Sequence, residues 1–121
     1  MKRKILGMMG NLEVELKEKD GIAILELGGE IDSLNSSEIG RLIMAYLERG
    51  NTKIIVSLKD VTYLDSSGLG ILIGGMNKTK EKGGMFKLCG LQNAVRKVFE
   101  MAKLVEIFEI HDTEEAALKS F

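Results

Sequence analysis

Residues 61–70 read VTYLDSSGLG, and this stretch decides how the rest of the chain is interpreted. An aspartate and two serines follow an apolar segment and lead into a glycine-rich, mostly apolar run. Asp65, Ser66 and Ser67 are all residue types that cap helices, because their side-chain oxygens accept hydrogen bonds from free backbone N–H groups. Three interpretations follow: an ordinary helix cap, a nucleophilic serine, or a serine that accepts a phosphate.

The segments on either side place this stretch between a strand and a helix. KIIVSL, residues 53–58, is apolar nearly throughout, which is typical of a central strand covered on both faces. Apolar residues at helical spacing predict a helix from about Ser67 to Lys82; they are Leu69, Leu72, Ile73 and Met76. That helix contains Gly68, Gly70, Gly74 and Gly75. Each glycine costs about 1 kcal/mol of helix propensity, so we expect another group to approach this backbone closely.

The first half of the chain predicts a hairpin and a helix. Residues 12–18 alternate apolar and charged side chains, a turn signal follows at Asp20-Gly21, and residues 22–27 form a second apolar run. We expect these two strands to be antiparallel. Asn35, with Glu38 three residues later, predicts a capped helix that ends near Gly50.

The second half alternates strands and helices. A short strand is predicted at 85–89, a helix that opens at Asn93, a strand at 106–110 and a terminal helix capped by Thr113. The whole pattern predicts one α/β domain with a mostly parallel sheet, an antiparallel N-terminal hairpin and about four helices. Residues 1–10 are interpreted as an N-terminal extension of uncertain order, and residues 11–121 as the domain.

Composition narrows the classes of function. With 121 residues, a net charge of −1 and no basic stripe, the chain is a poor candidate for nucleic-acid binding, which needs clustered Lys and Arg. The one cysteine, Cys89, fits a buried strand position in a reducing cytoplasm. No segment is long enough to cross a membrane, and the apolar part of the N-terminus is too short for a secretion signal. We therefore expect a cytoplasmic protein.

The serines lack the partners that catalysis needs. Neither has glycine at both offsets of the G-x-S-x-G elbow, and the only histidine, His111, lies in what we interpret as a solvated polar turn. One Cys and one His cannot build a structural zinc site, and the Gly-rich segment has no P-loop lysine. We expect no enzymatic activity, no cofactor and no metal.

Between a cap and a phosphate acceptor, residue types alone favour the cap, because Ser and Asp are common at helix starts. Two features favour an accessible serine. The glycines remove side-chain bulk beside the hydroxyls, and the stretch lies at the carboxyl end of a strand, where open α/β sheets present functional loops. A phosphate would add about −1.5 to −2 charges beside Asp65, and we expect it to switch an interface and leave the fold intact.

These residues resemble a known family, the bacterial anti-sigma factor antagonists, which are small proteins of the STAS fold. The resemblance covers residues 11 to 110. Its marks are the opening hairpin, GEID at 29–32, VTYLDSSGLGIL at 61–72, the GGMFKLCG strand and the NAVRKVFEMAKL helix.

The resemblance implies a partner-switching mechanism. The unmodified antagonist binds an anti-sigma factor that is also a serine kinase, and the sigma factor is freed. The kinase then phosphorylates the antagonist on the serine after the motif's aspartate, here Ser66, and a PP2C-like phosphatase restores it. The resemblance also implies a partner-binding surface made of Asp32, Ser33, Asp65, Ser66, Ser67, Gly68, Leu69, Leu91, Gln92 and Asn93. From the residues alone, Asp32 is equally well explained as a loop or cap acid.

The main alternative is a STAS subunit that does not switch. STAS domains also serve in transporters, in lipid-transport systems and in stressosome-like complexes, and some of these lack a phosphorylated serine. The DSSG sequence favours the regulatory branch.

Overall fold

The chain folds into a six-stranded mixed sheet with helices on both faces. The computed structural model describes the backbone of residues 2–121 and the side chains from residue 10 onward. The strands are β1 Lys2–Met9, β2 Leu12–Lys19, β3 Ile22–Ile31, β4 Lys53–Leu64, β5 Met85–Cys89 and β6 Glu109–His111. The helices are α1 Ser36–Glu48, α2 Ser66–Glu81, α3 Asn93–Met101 and α4 Glu114–Lys119.

The strands lie side by side in chain order. β1, β2 and β3 form an antiparallel meander, and β3 to β6 are parallel to their neighbours. The predicted hairpin between β2 and β3 is confirmed. β1 was not predicted: it falls within the residues interpreted as an extension, where it adds a second antiparallel pair at the edge of the sheet.

The helices cover the two faces unequally. One core contains the inward-facing residues of α1, α2 and α3, including Ile43, Leu72 and Phe99, packed against strand residues such as Val56. A smaller core on the other face packs Ala117 of α4 against β3, β4 and β5. Because side chains alternate along a strand, neighbouring residues such as Ile54 and Ile55 belong to different cores.

Two predicted boundaries were wrong. The strand predicted at 53–58 continues to Leu64, because β4 pairs with β3 again from Asp60 to Leu64 after β5 has ended beside Ser57. The strand predicted at 106–110 is shorter: β6 spans only Glu109–His111, since Leu104 O accepts hydrogen bonds from Ile107 N and Phe108 N in a turn.

One strand residue was not expected to be buried. Lys87 lies in the middle of β5 and is 1% exposed. Its Nζ donates to Ser120 O at 3.0 Å and Ser120 Oγ at 2.7 Å, pairs with Glu109 at 2.9 Å and lies 4.1 Å from the centre of the Phe121 ring. These contacts satisfy a charge that would otherwise be costly to bury, and they hold the last residues against the sheet.

The glycines of α2 differ in their surroundings. A Cβ on Gly68 would lie 2.8 Å from Ile31 Cγ2 and 3.0 Å from Leu64 Cγ, so this glycine allows α2 to approach the ends of β3 and β4. A Cβ on Gly75 would lie 2.7 Å from Ile43 Cδ1. Gly70 and Gly74 have open space instead, and both line an apolar groove of about 550 Å³ between α1 and α2. The predicted close approach is therefore confirmed at Gly68 and Gly75 only.

This contrast gives a matched pair of substitutions. We expect Gly74→Ala to raise the free energy of unfolding by about 1 kcal/mol, because alanine favours the helix and meets no neighbour. We expect Gly68→Ala to lower it by about 1–3 kcal/mol, the usual cost of overpacking, because Ile31 and Leu64 must move. Urea unfolding of both variants measures this, and equal shifts of one sign would contradict the packing argument.

Candidate functional site

Asp65 determines the start of α2. Its backbone is extended, and its Oδ1 accepts hydrogen bonds from Ser67 N at 3.0 Å and Gly68 N at 3.2 Å. The Ser67 hydroxyl also donates to this oxygen at 2.5 Å. The predicted cap is therefore confirmed, with Asp65 as the capping residue. The Ser67 hydroxyl, followed by the two backbone donors, lowers the pKa of the Asp65 carboxyl.

Ser66 is in a different situation from its two neighbours. It is the first residue of α2 and its side chain is exposed. Among the described residues, its hydroxyl has no hydrogen-bond partner. The capping role and the accessible hydroxyl thus belong to different residues: Asp65 and Ser67 hold the helix start, and Ser66 is left facing solvent.

The loop after β3 lies beside this helix start. Ile31 pairs with Leu64 at the ends of the parallel strands β3 and β4, and Asp65 N donates to Ile31 O at 3.2 Å. The carboxyl ends of parallel strands meet at one sheet edge, so the loop of residues 32–35 lies beside Asp65 and the first turn of α2. The structure therefore brings Asp32 and Ser33 next to Asp65 and Ser66.

Asn35 fixes the shape of the first loop, but not in the predicted way. Its side chain does not cap α1. Instead its Oδ1 accepts from Asp32 N at 3.0 Å, and its Nδ2 donates to Glu30 O at 2.9 Å. Glu38 pairs with Arg41. The predicted capping box was wrong because the Asn35 side chain turns back toward β3, where it is 2% exposed.

The other predicted contact residues differ in exposure. Ser33 is exposed and Asp32 half-buried, with Oδ1 accepting from Leu34 N at 3.0 Å. Gly68 and Leu69 are buried beneath the surface. They support the helix start from below.

The third predicted segment, Leu91, Gln92 and Asn93, is set apart from the rest. Gln92 Nε2 donates to Lys59 O at 2.7 Å, so this loop lies against the middle of β4. Six residues separate Lys59 from Asp65, and at about 3.3 Å per strand residue this is up to about 20 Å. A contact role for these three residues stays a prediction that would need a partner large enough to span that distance.

Two exposed apolar residues near Ser66 were missed by the sequence analysis. Leu34, in the loop after β3, is 87% exposed, and Tyr63, near the end of β4, is 51% exposed. Large apolar side chains at the rim of a polar loop are typical of protein-binding surfaces. The signal was visible in the sequence as single apolar residues inside DSLN and VTYLD.

The two segments at this edge carry acidic side chains, one of which, Glu38, pairs with Arg41 just beyond the first segment. Residues 29–40 and 60–77 contain no Lys or Arg, but contain the acids Glu30, Asp32, Glu38, Asp60 and Asp65. No basic side chain from either segment could therefore neutralise an anion at this edge.

Two further predictions concerned reactive side chains. Cys89 is fully buried in β5, as predicted, and burial raises the pKa of its thiol to about 11. His111 is not in a solvated turn: it ends β6, is half-buried, and its Nε2 lies 2.7 Å from Glu109 Oε2. Within the described part of the chain, no group of three or more His, Cys, Asp or Glu could hold a metal ion.

None of the helices described for residues 2–121 has both the length and the apolar character needed to span a bilayer.

The fold and this helix start match a known family. The model of the STAS domain matches residues 13–117. The chain belongs to the STAS domain family. Among its relatives is the anti-sigma F factor antagonist of Paenibacillus polymyxa, which is 34% identical over 89% of this chain and 93% of its own length. Another is the anti-sigma-B factor antagonist of Bacillus subtilis, at 28% identity over 90% of this chain and 99% of its own length.

Solved structures agree with this assignment. The Bacillus cell fate determinant SpoIIAA in its phosphorylated form is 27% identical, with a TM-score of 0.71 over 88% of this chain and 97% of that one. The anti-sigma factor antagonist SpoIIAA in its unphosphorylated form is 26% identical, with a TM-score of 0.70 over 88% of this chain and 96% of that one. The expected STAS fold is confirmed.

The cap at Asp65 can be tested by substitution. We expect Asp65→Ala to lower the free energy of unfolding by about 1 kcal/mol at pH 7, because two backbone donors lose their acceptor. Since the pKa is lower in the folded state, the share due to the carboxylate's charge is present at neutral pH and is lost as pH falls through that lowered pKa. Urea unfolding at several pH values measures this. Asp65→Asn, which keeps an acceptor oxygen, is the control, and an equal loss in both variants would contradict the capping role.

The Cys89 thiol should be unreactive in the native protein. With a pKa of about 11, only about one molecule in a thousand carries the reactive thiolate at pH 8, and the side chain is buried as well. We expect iodoacetamide to leave the native chain unmodified over a period that fully alkylates the chain unfolded in urea, as read by intact mass. Rapid native alkylation would show that β5 opens.

Proposed function

We propose that this chain is an anti-sigma factor antagonist that works by partner switching. The unphosphorylated form binds an anti-sigma factor serine kinase in the cytoplasm, which frees the sigma factor. The kinase phosphorylates Ser66 and the complex dissociates, and a PP2C-like phosphatase restores the binding form. The names of the relatives support the first step, and a related protein solved in phosphorylated and unphosphorylated forms supports the second.

The observation that carries this proposal is the exposed Ser66 hydroxyl. A kinase must place the acceptor oxygen in its own active site, and that requires a hydroxyl free of other bonds at the protein surface. Ser66 meets both conditions among the described residues, whereas the Ser67 hydroxyl is held by Asp65 at 2.5 Å. The geometry therefore favours Ser66 over Ser67 as the acceptor.

A phosphate on Ser66 would stay at the surface with its charge largely uncompensated. Asp65 Oδ1 already accepts from Ser67 N and Gly68 N, and Leu69 N donates to Asp65 O. The helix start thus offers a phosphate few free amides, although the dipole of α2 still favours negative charge there. With Asp65 adjacent and no Lys or Arg in either flanking segment, the modified edge becomes strongly anionic.

This charge is enough to end an interaction without unfolding the domain. A tenfold loss of affinity requires about 1.4 kcal/mol, and leaving one buried charge unpaired in an interface costs several times that. Leu34 and Tyr63 supply the apolar surface that a partner would cover in the unmodified form. Because the Ser66 side chain is exposed and its hydroxyl makes no hydrogen bond among the described residues, we expect its modification to disturb the interface and leave the fold intact.

A single charge placed at residue 66 tests the switch. We expect Ser66→Asp to bind the anti-sigma factor kinase at least tenfold more weakly than the unmodified chain, with an unchanged unfolding midpoint. Calorimetric titration with the purified kinase measures the affinity. The matched control is Asn77→Asp, which adds the same charge on an exposed position of α2 about 16 Å further along the helix. Equal affinity for Ser66→Asp and the unmodified chain would overturn the switch.

Phosphorylation by the kinase provides a second test of the proposed function. Incubation with the kinase and ATP should add one phosphate, mapped to Ser66 by mass spectrometry, and Ser66→Ala should bind the kinase without being modified. A chain that binds its partner but is never modified would favour the non-switching STAS subunit instead.

A further inference from the structure

The groove between α1 and α2 is an apolar surface that the packing of the chain leaves unfilled. It has a volume of about 550 Å³ and is lined mainly by apolar groups. Both helices contribute to it: Gly40 and Met44 come from α1, and Gly70, Ile71 and Gly74 come from α2. Because glycine has no side chain, the floor of the groove lies close to the two helix backbones.

Gly70 and Gly74 are not required by contacts within the chain. A Cβ on either residue would meet no atom within 4 Å outside the neighbouring backbone of α2. Both positions are exposed, and alanine would make a more stable helix there than glycine does. Gly75 differs, because a Cβ there would lie 2.7 Å from Ile43 Cδ1. The backbone at Gly70 and Gly74 is therefore open to close approach from outside the chain.

The shape of the groove suits a helix. α1 and α2 run in the same direction: Ile71 lies against Gly40, and Ile43 lies against Gly75 one turn further along both helices. The groove follows residues 37–48 of α1, which at 1.5 Å per residue is about 16 Å, or three turns of a helix. Its outer side is open along this length, whereas small-molecule sites bury most of their ligand.

The groove is continuous with the Ser66 edge. Ser66 precedes Gly70 by four residues, so the two residues lie on nearly the same side of α2, about 6 Å apart along the helix. Gly74 follows after one further turn. A helix that fills the groove would therefore end beside the Ser66 hydroxyl, where a phosphate would meet it.

The rim of the groove carries more positive than negative charge. Arg41 and Lys78 line it together with one acid, Glu48. The side chains of Arg41 and Lys78 are 73% and 57% exposed, so they can reach a partner although each also pairs with an acid of its own helix. The complement of this rim is an apolar stripe that is flanked by acidic side chains.

We propose that the groove receives an amphipathic helix of the anti-sigma factor kinase. Its apolar side chains contact Gly70 and Gly74, and its acidic side chains face Arg41 and Lys78. This inference rests on the proposed function, which supplies the partner. A second copy of this chain would not fill the groove, because it presents the same concave surface. Among the described helices, the one large apolar side chain that is mostly exposed is Met101 of α3.

A bulky side chain in the groove tests the proposal, because it separates binding from stability. We expect Gly74→Leu to bind the purified kinase about tenfold more weakly, or worse, in calorimetric titration. Its unfolding midpoint should be unchanged or raised, since leucine favours a helix more than glycine does and a Cβ here meets no neighbour. The control is Ala45→Leu, which adds the same side chain at an exposed position of α1 outside the groove and should bind normally.

The outcomes separate this inference from the switch. If the unmodified chain binds the kinase and Ser66→Asp does not, but Gly74→Leu binds normally, the switch holds and the helix in the groove is rejected. If the unmodified chain does not bind the kinase at all, the proposed function fails and this inference fails with it.

Crosslinking identifies the element that occupies the groove. A photoreactive maleimide can be attached to Gly70→Cys or Gly74→Cys, because the native Cys89 is buried. We expect the two variants to crosslink to one helix of the kinase at sites about four residues apart, since the two positions are one helical turn apart on α2. Crosslinks that fall on a loop or strand of the kinase would overturn the helical occupant.

Discussion

One carboxylate oxygen, Asp65 Oδ1, organises the surface on which the proposed function depends. It holds two backbone amides and the Ser67 hydroxyl at the start of α2. These bonds have two effects at once. They fix the helix start against the ends of β3 and β4, and they occupy the groups that would otherwise bind the Ser66 hydroxyl or neutralise a phosphate on it. A capped helix start and an exposed Ser66 hydroxyl are thus obtained from one acid and two serines.

Much of the fold could be predicted from the sequence, because its signals are local. Each of these signals lies within one element and depends on that element alone. They are the alternation in residues 12–18, the Asp20-Gly21 turn and the helical spacing in α2. The predictions that failed depended on contacts outside the predicted element itself. β4 continues past Leu58 because β3 lies beside it, and Asn35 turns away from α1 because Glu30 and Asp32 offer it better bonds.

The candidate site was predicted in part. The motif itself indicated Asp65, Ser66 and Ser67. Only the three-dimensional structure shows that Asp65 is the cap and that Ser66 is exposed. Exposure of Leu34 and Tyr63 depends on the orientation of two neighbouring loops. Burial of Lys87 depends on Ser120 and Glu109, residues more than 20 positions later in the chain. Such arrangements follow from tertiary contacts, which no residue pattern in a single segment encodes.

The overhang of β4 beyond β5 has a consequence of its own. Residues 60–64 pair with β3 but not with β5, so the ends of β3 and β4 form a ribbon that has no strand on the β5 side and carries the helix start at its tip. Successive residues of this ribbon point to opposite sides: Leu64 toward α2, and Tyr63 away from it. Any partner that covers Tyr63 must therefore approach the ribbon from the side opposite α2.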